Sequence, residues 1–205
     1  MKHIVVVAIV LALAVLAVPI PTVAQNTLVT SDTTWTVRAI RKNGVPKGLG
    51  YAEAVCLNAV SPTNCPPGAV LYGFGDSWFA DLSSIPGAIW IWAPGIHGLT
   101  SPADFQTFWF SKAFYVRAEP VTASISIAVD NYAEIYVNGQ LVGAYGSLIS
   151  GAAAFNSLRK FSVKSFLHTG QNQLVIRAQN GAGTCDPCNY AENPAGVVFG
   201  LNISY

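Results

Sequence analysis

Charge is scarce in this chain: only 10% of its 205 residues are Asp, Glu, Lys or Arg. Lys2 is the sole basic side chain ahead of Gln25, so the remainder carries ten basic groups against ten acidic ones. Without a basic surplus to neutralise phosphates, nucleic acid is not an expected partner. Histidine is nearly absent too, with only His97 and His168 beyond His3. No His-Glu-x-x-His presents a zinc site, and no Gly-x-Ser-x-Gly presents a strained nucleophile, which removes the common metalloprotease and serine hydrolase signatures. Gly73-Phe74-Gly75 lacks the third glycine and the following helix of a dinucleotide loop. Long helical periodicity, internal repeats and interdomain linkers are likewise missing.

Apolar residues are plentiful, at 52% of the chain. The first long run extends from Ile4 to Pro19 behind Lys2, and Thr22 and Ala24 are spaced as the small residues of a cleavage site. Residues 1–24 therefore read as a secretory signal peptide. An uncleaved anchor helix is the alternative, which would be the only route to a membrane, although Pro19 and Pro21 oppose continuing such a helix. Residues 25–205 suffice for a single core, and the expected location is secreted or extracellular.

The four cysteines fit an oxidising compartment. Three pairings are open. Cys56 with Cys65 and Cys185 with Cys188 are favoured because each pair brackets a turn-rich loop. The alternatives are a four-thiolate zinc site, opposed by the nine-residue spacing of the first pair, and a redox Cys-x-x-Cys, which lacks a βαβ setting.

Alternation of apolar and polar residues marks the strands. One is expected over residues 28–39, short ones near Glu53–Leu57 and Val70–Tyr72 in a loop-rich stretch from Arg41 to Pro86, then one over residues 88–94 and one from Phe108 to Arg117. Ala123 to Val142 reads as a β-meander turning at Asp130-Asn131 and Asn138-Gly139. The second of these suits a type I′ turn. A Gly/Ala-rich loop follows over residues 143–154, then a helical turn over residues 161–167 with Gly170 as its C-cap. Asn172 to Ala178 puts Leu174, Ile176 and Ala178 inward. Gly196 to Tyr205 puts Val197, Phe199, Leu201, Ile203 and Tyr205 inward and Asn202, in the sequon Asn202-Ile203-Ser204, outward as a glycosylation acceptor. The sum is an all-β, antiparallel β-sandwich.

Asp130 to Gly139, reading DNYAEIYVNG, resembles the central strands of galactose-binding-like jelly-roll domains, such as the accessory sugar-binding domains of α-L-rhamnosidases and other glycoside hydrolases. Trp90-Ile91-Trp92, Phe110 to Phe114, Phe161 to Asn172, Leu174 to Asn180 and Pro194-Ala195-Gly196 resemble further segments of that family in the same order. Ser111 and the Cys185–Cys188 insertion depart from its pattern. The resemblance implies a jelly roll and points to sugar binding without fixing it.

Paired carboxylates of a glycosidase are conceivable at Asp76 with Asp81 or Glu134 with Asp130, but nothing marks either pair out. Asp130 reads as a turn residue, with ligation of a structural Ca²⁺ as the alternative. Rings that could stack on sugar are Trp78, Trp92, Trp109, Tyr132 and Tyr145, of which most should be core. Trp90 and Trp92 share a parity and are expected to be structural. Trp78 and Tyr145, in glycine-bearing loops, head the expected ligand-binding set, with Tyr132 and Asn131 beside them. The reading is a non-catalytic protein whose partner is carbohydrate or a cell-surface glycan. The alternatives are a self-assembling subunit of an extracellular filament or surface layer, with residues 27–39 adding as a strand to a neighbour, and an accessory subunit of a separate glycosidase.

Overall fold

The computed structural model describes residues 26–41, 43–57, 65–72, 78, 81–148 and 154–205. The expected signal peptide, Asp76 and the Gly73-Phe74-Gly75 segment lie outside them. Among the described residues thirteen strands occur in chain order: β1 (Thr27–Thr30), β2 (Thr36–Ile40), β3 (Pro46–Tyr51), β4 (Glu53–Leu57), β5 (Val70–Tyr72), β6 (Ile91–Trp92), β7 (Thr107–Val116), β8 (Thr122–Asp130), β9 (Tyr132–Val137), β10 (Gln140–Gly146), β11 (Arg159–Ser162), β12 (Gly170–Gln179) and β13 (Gly196–Ser204). The first sheet runs β11-β8-β13-β6-β4-β5 with β1 also on β13, and the second runs β10-β9-β12-β7-β2-β3. Among the described residues every pairing is antiparallel except β4 with β5, which is parallel. No helix among the described residues is long and apolar enough to cross a membrane.

The two sheets close on a shared apolar core. Ile125, Ile127 and Val129 of β8, Ala133, Ile135 and Val137 of β9, and Leu174, Ile176 and Ala178 of β12 are all fully buried, so period-two alternation placed these rows correctly. Trp35 meets Phe199 edge-on at 4.7 Å, and Trp92 meets Phe108 edge-on at 5.4 Å. Trp90 and Trp92 are both buried, as their shared parity requires.

Connectivity departs from expectation at Asp130-Asn131. No meander forms there, because β8 bonds to β11 and β13 in the first sheet while β9 bonds to β10 and β12 in the second. The dipeptide carries the chain from one layer to the other. Asn138-Gly139 does turn a hairpin, with both residues at positive φ (52° and 78°) as a type I′ turn demands.

Other corrections have local causes. Residues 28–39 are two strands in different sheets, so the segment proposed for addition to a neighbour is already paired: β1 with β13, and β2 with β3 and β7. Pro46–Tyr51, read as loop, is an edge strand, and Gly143–Gly146 extend β10 rather than open a loop. Arg159–Ser162 is a strand and only Lys164–Phe166 form a 3-10 turn. That turn is capped at Leu167, so Gly170 opens β12 instead of capping a helix.

Strand β13 is buried on both faces along most of its length because Trp78, Ile85 and Trp90 lie across its outer side. Glycine permits this: a Cβ at Gly196 would come within 2.8 Å of the Trp78 ring, and one at Gly200 within 2.5 Å of Ile85. Cys56–Cys65 and Cys185–Cys188 are both disulfide-bonded, which suits an oxidising environment.

Candidate functional site

The outer face of the second sheet gathers side chains that the sequence keeps far apart. In one cross-strand row Gly48, Arg38, Trp109, Arg177, Glu134 and Ala144 stand opposite one another on β3, β2, β7, β12, β9 and β10. The adjacent row is Tyr51, Thr36, Ser111, Val175, Tyr136 and Leu141. Each of these side chains points outward because its strand neighbours, such as Phe108, Phe110, Ala133 and Ile135, are committed to the core.

Glu134 organises the middle of the face. Its carboxylate accepts the Tyr136 hydroxyl at 2.6 Å, the Tyr132 hydroxyl at 3.1 Å and Arg177 Nη1 at 3.0 Å. Arg177 also donates to Gln179 Oε1 at 3.2 Å, and its guanidinium lies 5.9 Å from the Trp109 ring centroid. Trp109 and Tyr136 are 5.8 Å apart with their planes tilted by 31°. Donating that short bond to Glu134 and partial burial both raise the Tyr136 pKa. For Tyr132, burial leads and the Glu134 charge adds to it. The network thus holds both phenols protonated and the rings in fixed orientations.

Trp109 differs from its counterparts in one respect. The Nε1 donors of Trp35, Trp78 and Trp92 bond to the Thr30 carbonyl, Asp130 and the Tyr190 hydroxyl. Trp109 Nε1 is buried without a partner among the described residues, a cost on the order of 1–3 kcal/mol. The fold leaves this donor unmet on its ring-bearing outer face rather than in the core.

Beside Trp109 the sheet steps down into a groove. Strand β2 starts at Thr36 opposite Ser111, so beyond Ser111 strand β7 has no neighbour on that side among the described residues. The resulting hollow is about 520 Å³ and is lined by Thr36, Arg38, Gly48, Gly50, Tyr51, Ser111 and Gln173, with Val37 at its base. Thr36 Oγ1 and Ser111 Oγ bond at 2.8 Å across it. Gly48 and Gly50 leave open space where side chains would stand. Tyr51 is 63% exposed at the rim. The volume falls in the range of small-molecule sites, about 300–1,000 Å³, and the lining mixes one free-standing ring with hydroxyl, amide and guanidinium groups.

Of the four residues expected to bind ligand, only Tyr132 belongs to this face. Trp78 is 5% exposed, stacked at 4.4 Å on Trp90, and so offers no free ring. Tyr145 sits on β10 opposite the buried Ala133, packs against the core and bonds Ser157 Oγ at 2.8 Å. Asn131 Oδ1 accepts the Gly181 amide at 2.6 Å, which ties the crossover to the loop after β12. Asp130 is 9% exposed and accepts Trp78 Nε1 at 2.9 Å, so the carboxylate considered for calcium or for glycosidase chemistry faces an indole. Asp81 is exposed and bonds the Ser83 amide. Among the described residues no three His, Cys, Asp or Glu side chains cluster as metal ligands would. Asn202 is exposed on the outer face of the first sheet.

Sequence reasoning named Trp109 but left Tyr51, Arg38, Arg177, Glu134 and Tyr136 out of the binding set. Parity alone puts Trp109 and Arg177 on outer rows. What parity omits is that β7, β12 and β9 are neighbours.

No protein-family model matches the chain. No curated protein matches it either. Among solved structures, it is similar to an FMN-binding β-glucuronidase from Facaelibacterium prausnitzii L2-6, with 14% identity and a TM-score of 0.44 over 87% of this chain and 23% of that one. A β-D-mannosidase from Dictyoglomus thermophilum gives 15% identity and 0.38 over 74% and 15%. A Ruminococcus gnavus β-glucuronidase gives 12% identity and 0.46 over 91% and 31%. The chain spans less than a third of each of these proteins, and likeness at this level assigns neither family nor activity.

Proposed function

We propose that this chain is an exported, non-catalytic sugar-binding β-sandwich that takes carbohydrate on the outer face of its second sheet. The observation that carries the reading is the groove lined by Tyr51, Thr36, Ser111, Gln173 and Arg38 beside Trp109, where an exposed ring stands next to hydroxyl, amide and guanidinium groups held by the sheet. Sugars are met by this combination, because their C–H faces stack on rings while their hydroxyls need both donors and acceptors. Two disulfides support residence outside a reducing cytosol. A binding role rather than hydrolysis is supported by the state of the acidic side chains: Glu134 is saturated by three donors and Asp130 is turned toward Trp78.

Affinity electrophoresis of the protein beginning near Gln25 through gels containing soluble polysaccharides tests this. Retardation by at least one polysaccharide is expected, with Tyr51→Ala and Trp109→Ala each weakening it about tenfold or more, the scale of one lost ring contact in a binding site. Circular dichroism and thermal melts establish that each variant is folded. A folded protein that migrates freely through every gel overturns the reading.

A further inference from the structure

Resting on that proposed site, we infer that the preferred ligand is an acidic polysaccharide, bound through its carboxylate or sulfate groups by the hairpin that forms the groove's outer wall. Charge is distributed unevenly here. From Thr33 to Ala52 the chain has no acidic residue, yet it carries Arg38, Arg41, Lys42 and Lys47, four of the ten basic side chains that follow Gln25. Strands β2 and β3 fold this segment into a hairpin at the edge of the second sheet.

The cations of this sheet and its edge hairpin divide into two kinds. Arg177 is neutralised by Glu134 at 3.0 Å, and Lys112 by Asp32 at 3.0 Å. Arg38 lines the groove, is exposed and forms no ion pair among the described residues; Arg41 and Lys47 are likewise exposed and unpaired there. A guanidinium offers a planar fork matched to two carboxylate or sulfate oxygens. Arg38 also stands directly across from Trp109, and Thr36, its neighbour on the same face of β2, stands across from Tyr51. One sugar ring against an aromatic side chain therefore brings its acidic substituent within reach of Arg38, while Lys47, opposite the core-packed Ala39, and Arg41 stand on the other side of this edge hairpin and add to its local positive field. A neutral glycan would leave this local positive field unused, and a folded protein of balanced net charge gains no general polyanion affinity from it.

Isothermal titration with alginate, dextran sulfate and neutral dextran, at about 20 mM and about 300 mM salt, tests the inference, since screening at the higher concentration weakens exposed charge pairs. At low salt the acidic polymers bind about tenfold or more tightly than dextran, and Arg38→Gln with Lys47→Gln removes about tenfold of that preference by weakening the acidic polymers far more than dextran. Both positions are exposed strand sites, so the double variant keeps its melting temperature. Alginate over dextran sulfate assigns the charge to carboxylate, and the reverse to sulfate. Equal binding of acidic and neutral polymers overturns the inference and leaves the sugar-binding reading standing. Single-stranded DNA bound as tightly as alginate, with no loss in Tyr51→Ala, overturns it as generic polyanion attraction. Failure to bind any polysaccharide removes both.

Discussion

The Trp78 indole donates to Asp130 across 52 residues of sequence, Nε1 to Oδ2 at 2.9 Å. Asp130 is the last residue of β8, and Trp78 lies on the outside of the first sheet against Trp90 and over Gly196. The bond therefore fastens the segment that covers β13 to the point where the chain crosses between layers.

Replacing Trp78 by Phe separates the two roles of that ring. Phe keeps much of the stacking on Trp90 but removes the donor, leaving a nearly buried carboxylate with one partner fewer. The expected destabilisation is about 1–3 kcal/mol, read from urea unfolding, and Trp78→Ala should cost about 3–5 kcal/mol because a cavity is added. Neither change should alter the affinity of the folded fraction for polysaccharide. A loss of binding without loss of stability would return Trp78 to the ligand-binding set.

This pair also shows what a sequence can and cannot disclose. Alternation from Ala123 to Val137 is legible because each strand buries one row, Ile125, Ile127 and Val129 on β8 and Ala133, Ile135 and Val137 on β9. Alternation does not say which sheet a strand joins, since both sheets bury their rows against the same core; the crossover at Asp130-Asn131 was for that reason indistinguishable from a turn. Pro46–Tyr51 escaped because an edge strand with mostly exposed side chains has no burial pattern to read. Lys112, which interrupts an inward row, is accommodated where that row reaches the margin of the core, over the Trp35 ring and paired with Asp32. The candidate site was the least legible part: it is built from residues on β2, β3, β7, β9 and β12, and only register brings them together.

Alkaline pH should weaken the fold through two buried phenols. Burial pushes the Tyr190 hydroxyl up to about 12, against a smaller opposing effect of the Trp92 donor. Burial also raises Tyr72, with Tyr190 and Glu53 adding to the rise. An unfolded tyrosine ionises near pH 10, so between that pH and the folded value only the unfolded chain loses its proton. The stability these groups contribute is complete below about pH 10 and drains away as pH rises through about 12. Urea midpoints at about pH 9 and about pH 11 should fall accordingly, and Tyr72→Phe should reduce the difference. An unchanged midpoint would contradict the burial of both rings.

Asp104 pins the Cys185–Cys188 loop to the rest of the fold. Its carboxylate accepts the Gly183 and Cys188 amides at 2.8 and 3.1 Å and Asn193 Nδ2 at 2.6 Å. Desolvation is the largest single influence and raises its pKa, but the three donors together outweigh it and hold the carboxyl below its ordinary value. The loop should accordingly stay protected at neutral pH and loosen as pH falls through that lowered value, with amide exchange at Gly183 and Cys188 as the measure. The disulfide closes too few residues to substitute, contributing about 2 kcal/mol in the chain-entropy view. Asp104→Ala in the oxidised protein should therefore open the loop more than reduction of Cys185–Cys188 does in the parent.

Glu134→Gln tests the face itself, because the three groups that converge on Glu134 respond in different ways. Glutamine keeps one acceptor oxygen and turns an amide donor toward a site that already receives two hydroxyls and a guanidinium, so stability should fall by about 1–3 kcal/mol. Tyr136 loses the hydrogen bond that chiefly raises its pKa, and part of the tyrosine absorbance change should move to lower pH. Arg177 loses its counter-ion and becomes, beside Trp109, a second unneutralised guanidinium across the row from Arg38. Affinity for alginate should therefore rise by about threefold to tenfold at low salt, with a steeper salt dependence, while dextran binding holds or weakens. A change of the same size and sign for both polymers would mean that charge on this face does not choose the ligand.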